Sequence, residues 1–152
     1  DDILEVDNVD GFSMLINKSK FNNNRYFDEN FFLYLENTDL CLRQKKNSEK
    51  IFIIKKSEIN HLGSYSTKLD QSHSLEYIRN WHWMWSKFYF NKKHNGYLFA
   101  TLKTSGNLIS SLLKYFFYAL IFKKHNRKIY KMRFHGLLSS MLGKKSYLRP
   151  DS

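Results

Sequence analysis

The sequence is poor in several features that usually direct the interpretation of a chain. It contains one cysteine, Cys41, which excludes an internal disulfide framework and is typical of a reducing compartment. No internal repeat and no low-complexity linker is present, so we expect one domain from the 152 residues. The apolar run Leu108–Phe122 is fifteen residues long and contains Lys114. It is therefore shorter than the roughly twenty residues that span a bilayer.

Acidic residues are scarce after Arg43. Residues 1–43 hold nine acids and four bases, a net charge of −5, whereas residues 44–152 hold five acids and twenty-one bases, a net charge of +16. This asymmetry indicates a catalytic edge followed by a segment that meets anions, either membrane lipid or nucleic acid.

The stretch Phe27–Arg43 combines carboxylates with an aromatic run. Its acids bracket the sequence FFLYL and are Asp28, Glu29, Glu36 and Asp39. The run predicts a short buried strand, and Asn37 or Thr38 is typical of the N-cap of a following helix that ends near Asn47. Two interpretations are open: the acids are displayed for catalysis at a strand-to-helix junction, or they only cap the helix and complement its dipole.

Hydrophobic periodicity predicts further elements along the chain. We expect strands over Val6–Ile16 and Lys50–Ile54, and a turn at residues 22–24. A helix is predicted over His73–His94 and a second one over Ile129–Leu142. The apolar stripe of the first helix consists of Leu75, Ile78, Trp81, Trp85 and Phe88. Additional aromatic residues beyond this stripe indicate either a core helix with a second protein contact or a membrane interface.

The pattern FDExFFLYLExxDLCLR resembles the acceptor-side motif of family 2 glycosyltransferases, which build bacterial surface polysaccharides. The similarity extends upstream to VDNVDGFSMLI (Val6–Ile16) and downstream to KIFIIKKSEINHLGSYS (Lys50–Ser66). The segment RFHGLLSSMLGKKSYLRP (Arg133–Pro150) also resembles C-terminal ends in that family. The resemblance covers about two-thirds of the chain.

This resemblance implies an α/β fold: the C-terminal part of a GT-A domain, with a short mixed sheet followed by a helical region. Residues 1–70 would be the acceptor and catalytic half, and residues 71–152 a helical, basic extension packed on the same domain. The nucleotide-binding half of the family, with its Asp-x-Asp metal motif, has no counterpart here. We therefore expect the chain to be part of a longer enzyme and to be inactive alone.

The implied activity is an inverting hexosyl transfer from a nucleotide-diphospho-sugar to a saccharide or lipid-linked acceptor. In the family, the base is the Asp of a Glu/Asp-Asp pair, with another Asp two residues later. The corresponding residues here are Glu36, Asn37 and Asp39. An amide cannot accept a proton at neutral pH, so the base is Glu36, which we favour, or Asp39, or the activity is weak or lost.

The resemblance also implies binding residues. Gly11, Asp28, Glu29 and Arg79 are assigned to the acceptor, although Gly11 would equally suit a plain strand and Arg79 with Asn80 would also suit a diphosphate contact. His61 is assigned to a divalent metal, Mn²⁺ or Mg²⁺, shared with the missing Asp-x-Asp motif. Oxygen ligands dominate such sites, and a neutral imidazole completes the shell. The alternative for His61 is a structural or surface histidine.

The C-terminal region has two interpretations as well. An apolar run, the basic cluster 123–128 and an amphipathic helix together indicate that residues 105–145 attach in the plane of a membrane. The alternative is a helical pair that closes the domain. We expect a cytoplasmic protein at the inner face of the cytoplasmic membrane, without nucleic acid. A non-catalytic module that binds membranes or nucleic acid, and a degenerate transferase, remain as alternative functions.

Overall fold

The computed structural model describes residues 2–21, 26–60 and 72–149, and within them the fold is mixed α/β and mostly helical. The described elements are the strands β1 (Ile3–Val6) and β2 (Ile51–Ile54), a 3-10 helix (Lys18–Lys20), and the helices α1 (Glu36–Lys46), α2 (Ser72–Asn95), α3 (Tyr97–Leu120) and α4 (Lys124–Met141). The chain forms two compact units, Asp1–Phe31 with Leu35–Tyr65, and Phe32–Tyr34 with Ser66–Ser152. A short sheet followed by a helical region is present as expected, but among the described residues the sheet is antiparallel and not mixed. Its relation to a glycosyltransferase fold stays a prediction.

The sheet of the first unit consists of β1 and β2, which pair antiparallel with Ile3 opposite Ile54 and Val6 opposite Ile51. The strand predicted at Lys50–Ile54 is thus confirmed. The strand predicted over Val6–Ile16 is wrong, because β1 ends at Val6 and a turn follows at Gly11. The polar, turn-forming residues between Asp7 and Gly11 disfavour a continuous ladder, and β2 provides only four partners.

The FFLYL run is not a strand, contrary to the sequence prediction. Its residues form bends, and Tyr34 and Leu35 both have a φ of 68°, in the left-handed region. Residues 32–34 pack in the second unit: the Phe32 ring lies 4.9 Å from the His82 ring, and the Leu33 carbonyl accepts a hydrogen bond of 2.7 Å from Ser86 Oγ. A side-chain donor therefore satisfies this backbone carbonyl in place of a neighbouring strand.

Helix α1 begins one residue before the predicted caps. Its N-cap is Leu35, which makes no side-chain capping bond, so the assignment of Asn37 or Thr38 as N-cap is wrong. The Asn37 side chain is instead directed to the backbone of Val9. The predicted helix end is confirmed, since α1 stops at Lys46 and Asn47 is its C-cap.

The second unit is built from α2, α3 and α4, which contact one another. The predicted helix over His73–His94 is confirmed, and its residues Ile78, Trp81, Trp85 and Phe88 are buried as the stripe predicted. The helix predicted to begin at Ile129 begins five residues earlier, because the basic cluster is itself helical from Lys124. Met84, Phe88, Ala100 and Leu137 form a core cluster that draws on all three helices.

Hydrogen bonds from α2 hold the segment that follows α4. Trp85 Nε1 donates to the Lys144 carbonyl at 2.9 Å, and His82 Nε2 lies 2.7 Å from the Leu148 carbonyl oxygen. The other ring nitrogen of His82 lies 3.1 Å from Ser146 Oγ. Burial lowers the pKa of His82, and the charge of Arg149 lowers it further, against the opposing effect of the bond to Leu148. The ring is therefore held neutral, with Nε2–H donating to the carbonyl.

This geometry predicts that acid destabilises the second unit. A histidine whose pKa is lower in the folded state binds its proton mainly after unfolding. The contribution of His82 to the free energy of unfolding is therefore complete above about pH 6.5, the usual pKa of a histidine in an unfolded chain. This contribution is lost as the pH falls through the lower pKa that His82 has in the folded state. Chemical denaturation between pH 8 and about pH 5 should show this fall, and it should become shallower in a His82→Gln variant.

The control for this prediction is His94→Gln, on the same helix, where the histidine ring packs 4.8 Å from the Phe90 ring. Each of the two substitutions replaces one histidine of α2 by glutamine. Equal pH dependence in both variants and in the wild type would show that His82 does not carry the effect.

Candidate functional site

The start of α1 brings together two of the residues assigned to the site, Gly11 and Asn37. A Cβ atom at Gly11 would lie 3.4 Å from the Cβ of Asn37. Asn37 Nδ2 donates to the Val9 carbonyl oxygen at 2.7 Å, which ties the turn before Gly11 to the first turn of the helix. Asn37 thus acts as a hydrogen-bond donor, a role that an aspartate carboxylate cannot take at neutral pH.

Asp39 is fully buried and is engaged by a cation. Arg43 Nε donates to Asp39 Oδ2 at 2.9 Å, and Arg43 Nη2 also donates to the Tyr26 carbonyl oxygen. The two residues are one helical turn apart on α1, where an acid and a base face each other. This ion pair fixes the chain near Tyr26 to α1. It also occupies one carboxylate oxygen, so Asp39 is less suited than Glu36 to accept a proton from a substrate.

Glu36 carries the free carboxylate oxygen at this junction. Its Oε2 atom is buried and has no hydrogen-bond partner within the part of the chain that the structure describes. The residue stands in the first turn of α1, where the helix dipole favours a negative charge. A buried polar atom without a partner is uncommon and is often explained by function. Sequence analysis favoured Glu36 as the base, and this geometry is compatible with that prediction.

The other two acidic residues assigned to the site, Asp28 and Glu29, lie in surroundings that differ from those of Glu36 and Asp39. Asp28 Oδ1 accepts hydrogen bonds from the backbone and side-chain nitrogens of Asn30, at 3.0 and 2.8 Å, which closes a local turn. The Phe31 backbone nitrogen donates to the Asp28 carbonyl at 3.0 Å. Glu29 is exposed. Asp28 therefore shapes the entry to the aromatic run, and its role in acceptor binding stays a prediction, as does that of Glu29.

A groove in the first unit, with a volume of about 1050 Å³, was not anticipated from the sequence. It runs between β2, the segment 8–17 and one side of α1, where Leu40, Cys41 and Gln44 line it. Gln44 Oε1 is buried and without a partner among the described residues. Glu36 and Asn37 do not line this groove, although Val9, which Asn37 binds, does. The groove thus lies beside the candidate base and is not formed around it.

Arg79 belongs to the second unit, on the exposed side of α2. With Tyr34, Asn80 and Trp83 it lines a shallow cavity of about 200 Å³. Asn80 is used internally: its Nδ2 donates to the Glu76 carbonyl at 2.9 Å and its Oδ1 accepts from Arg133 at 3.4 Å. Arg79 is thus available to an anion, whereas its neighbour in the proposed Arg-Asn pair already has protein partners.

The assignment of His61 to a metal falls outside the described residues, as does the turn predicted at residues 22–24. Within the described ranges, one group has ligand atoms close enough to share an ion: His73, Glu76 and His125. It lies on α2 and α4, in the second unit. Sequence analysis missed this group, because the ligands on α2 and the ligand on α4 are distant in the chain.

Comparison of the chain with protein-family models, with curated proteins and with solved structures gives no match. A relation to family 2 glycosyltransferases therefore stays a prediction from the residue pattern of Phe27–Arg43 and the flanking segments.

Proposed function

We propose that this chain forms the acceptor-side part of an inverting glycosyltransferase. It would transfer a hexosyl group from a nucleotide-diphospho-sugar to a saccharide or lipid-linked acceptor in bacterial surface polysaccharide or lipopolysaccharide synthesis. The observation that carries the proposal is the buried Oε2 atom of Glu36 at the start of α1, for which the described part of the chain offers no hydrogen-bond partner. The motif that contains Glu36 supports the same reaction class.

In this mechanism, Glu36 acts on the acceptor. Its carboxylate takes the proton of the acceptor hydroxyl while that oxygen forms a bond to the anomeric carbon, and the bond from this carbon to the nucleoside diphosphate breaks. A divalent metal, held in part by His61, would supply charge stabilisation for the departing diphosphate.

Two neighbours keep Glu36 in place. Asn37 fastens the first turn of α1 to Val9, and Asp39 fastens the next turn to Arg43. Both are bonds to protein partners, so both residues act as positioning residues. A degenerate transferase, which binds acceptor or partner without turnover, stays the alternative, and the Asn37→Asp variant distinguishes the two.

The reaction class is tested with the longer protein that the proposal requires. Release of a nucleoside diphosphate is measured across a panel of nucleotide-diphospho-sugars, with and without a membrane extract as the source of acceptor. We expect one donor to be consumed, and its consumption to depend on the extract. Absence of release from every donor, by protein that is folded, would contradict a glycosyltransferase.

A second function, binding to an anionic lipid surface, is favoured by the outer face of α3. The face consists of large apolar residues that are all exposed: Leu98, Leu102, Ile109, Leu113, Phe116 and Leu120. At 3.6 residues per turn, these six side chains fall within about 60° of arc along roughly 33 Å of helix. The buried residues of α3 are the small ones, Ala100, Thr104 and Ser111. The helix thus packs on its own unit through small residues and presents its large apolar residues outward.

The charge of the chain around this face of α3 indicates which kind of partner the face binds. From residue 77 to residue 149 the chain contains fifteen Lys and Arg residues and no acid. The exposed turn after α3 carries Phe122 next to Lys123 and Lys124. An apolar stripe bordered by cations matches a helix lying in the plane of an anionic bilayer, whereas nucleic acid would leave the leucines without a partner. No described helix is both long enough and apolar enough to cross a membrane.

A matched pair of substitutions tests this surface. Leu113 and Leu142 are each 64% exposed, but Leu113 belongs to the stripe of α3 and Leu142 follows α4. Leu113→Asp should weaken partitioning into anionic vesicles by about tenfold, since burial of one leucine contributes about 1.5 kcal/mol or more. Leu142→Asp should leave it nearly unchanged. The measurement is co-sedimentation with vesicles of stated anionic content.

Binding to an anionic lipid surface predicts a further result in this assay. Partitioning should fall when anionic lipid is replaced by zwitterionic lipid, by about 1 kcal/mol for each basic side chain near the surface. Equal effects of the two leucine substitutions, or tighter binding to an oligonucleotide than to vesicles, would contradict it.

A further inference from the structure

Three side chains converge where the first turns of α2 and α4 meet. The ligand atoms of His73, Glu76 and His125 all lie within 4.8 Å of one another. Glu76 Oε2 is 3.2 Å from His125 Nε2 and 4.0 Å from His73 Nδ1. His73 and Glu76 are three residues apart on one helix, so they share a face. None of the three residues was assigned to glycosyl transfer.

One of the distances matches that between two ligands of one small metal ion, and the others need a small movement of the exposed His73 side chain. Two ligand atoms bound at about 2.0–2.1 Å with tetrahedral angles are separated by about 3.3 Å. The distance between Glu76 Oε2 and His125 Nε2, 3.2 Å, agrees with this value. His73 Nδ1 has to approach Glu76 by less than about 1 Å, and its exposed side chain can move that far.

A further hydrogen bond is available to set the tautomer of His125 when a metal binds. Its Nδ1 atom lies 3.0 Å from the hydroxyl oxygen of Tyr77. When Nδ1–H donates to that oxygen, the lone pair of the ring is on Nε2, the atom that faces Glu76. Metal-bound histidines commonly hold their second nitrogen in such a bond, which orients the ring.

The two histidine rings also pack on each other, with centroids 4.7 Å apart. Two imidazolium ions at this distance repel each other, whereas one metal ion binds both rings in the neutral form.

The types of ligand atom in this group indicate which metal ion it binds. Two imidazole nitrogens and one carboxylate oxygen suit Zn²⁺ and its neighbours in the transition series, whereas Mg²⁺ and Ca²⁺ prefer oxygen ligands throughout.

We propose that His73, Glu76 and His125 form a zinc site that joins α2 to α4, with water in the remaining coordination position. Because ligands come from both helices, the ion binds the packed form of the second unit more tightly than the unfolded chain. Zn²⁺ therefore raises the midpoint of thermal unfolding, and a chelator lowers it again. Its ligands do not include His61, which the sequence resemblance assigns to a different metal.

The test is a titration of the metal-free chain with Zn²⁺ by calorimetry, together with Co²⁺ as a spectroscopic probe. We expect one equivalent to bind, and a visible Co²⁺ absorption typical of tetrahedral coordination. His125→Ala and Glu76→Gln should each weaken Zn²⁺ binding by about 100-fold or more, and Tyr77→Phe by about tenfold. His94→Ala serves as the matched control and should bind as the wild type does.

Circular dichroism of each variant verifies that the helices are retained, and Glu76→Gln keeps the shape of the side chain if the alanine variant does not fold. Zn²⁺ binding that is equally tight in the wild type and in Glu76→Gln would overturn the proposal, and so would a wild-type chain that binds no Zn²⁺. Loss of binding in His61→Ala without loss in His125→Ala would also overturn it, because the ion would then belong to the other predicted site.

Discussion

Replacing Glu36 by glutamine should lower the turnover of the longer enzyme by about 10²–10⁴-fold, the usual effect of losing a general base. The substitution keeps the size of the side chain and removes its negative charge and its ability to accept a proton. Glu36 Oε2 is buried and has no partner among the described residues, so the amide breaks no hydrogen bond at that atom. Steady-state measurement of kcat and KM should show the loss in kcat, with little change in the free energy of unfolding.

Asn37→Asp provides the contrasting result. Asn37 Nδ2 donates to the Val9 carbonyl at 2.7 Å, and an aspartate would place an oxygen against that carbonyl. We expect the free energy of unfolding to fall by about 1–3 kcal/mol, and turnover not to rise. A large gain of turnover in Asn37→Asp, from a wild type that binds donor without reacting, would show instead that the base had been lost at position 37.

Asp39→Asn completes the series. Asp39 is fully buried and its Oδ2 accepts from Arg43, so the substitution leaves a cation without its counter-charge. The fold should therefore be destabilised. If Asp39→Asn lost turnover at unchanged stability while Glu36→Gln kept it, Asp39 would be the base and Glu36 would not.

Replacing Gly136 by alanine should lower the free energy of unfolding by about 3 kcal/mol, at the upper end of the usual cost of overpacking. A Cβ atom at Gly136 would lie 2.2 Å from the Trp81 carbonyl oxygen and 3.0 Å from the Trp81 carbonyl carbon. Both are backbone atoms in the middle of α2, so no side-chain rotation relieves the contact. The two helices have to separate, and the core around Leu137 loosens with them. Chemical denaturation followed by circular dichroism measures this loss.

Gly106→Ala is the matched control for this prediction. Gly106 lies inside α3, is exposed, and a Cβ atom there would meet nothing within 4 Å. The same substitution should therefore stabilise the chain by about 0.5–1 kcal/mol, because alanine loses less conformational freedom than glycine in a helix. If both variants changed stability alike, α2 and α4 would not approach as closely at Gly136 as the structure shows.

Helix α2 was predictable because its apolar residues recur with the period of a helix. Trp81, Trp85 and Phe88 are spaced so that they fall on one side, and all three are buried. The start of α4 was missed, because its first turns are basic and have no apolar periodicity. Lys124 to Lys128 nevertheless continue the helix that the later residues stabilise by packing.

The FFLYL run shows why a short apolar sequence is ambiguous. Five apolar residues suit a buried strand, a buried helix or an irregular segment. The sequence alone does not indicate which other residues pack against them. Here Ser86 and His82, about fifty positions further along the chain, contact residues 32 and 33. These contacts, together with the left-handed backbone at Tyr34 and Leu35, replace the ladder of a strand.

The candidate site was predictable in its residues more than in its geometry. The motif directed attention to Glu36, Asn37 and Asp39, but it did not indicate that Asn37 binds Val9 or that Arg43 binds Asp39. The group formed by His73, Glu76 and His125 depends on the packing of α2 against α4, and no local sequence pattern predicts it. Long-range contacts of this kind require the fold.

The most direct measurement of the central claim is the mass of the acceptor after incubation with donor and the longer enzyme. With the wild type we predict that the acceptor gains one hexosyl residue, and that the Glu36→Gln enzyme leaves its mass unchanged over the same time. An acceptor that gains the residue equally fast with both enzymes would contradict the role of Glu36. An acceptor left unchanged by folded wild-type enzyme, with every donor of the panel, would contradict glycosyl transfer itself.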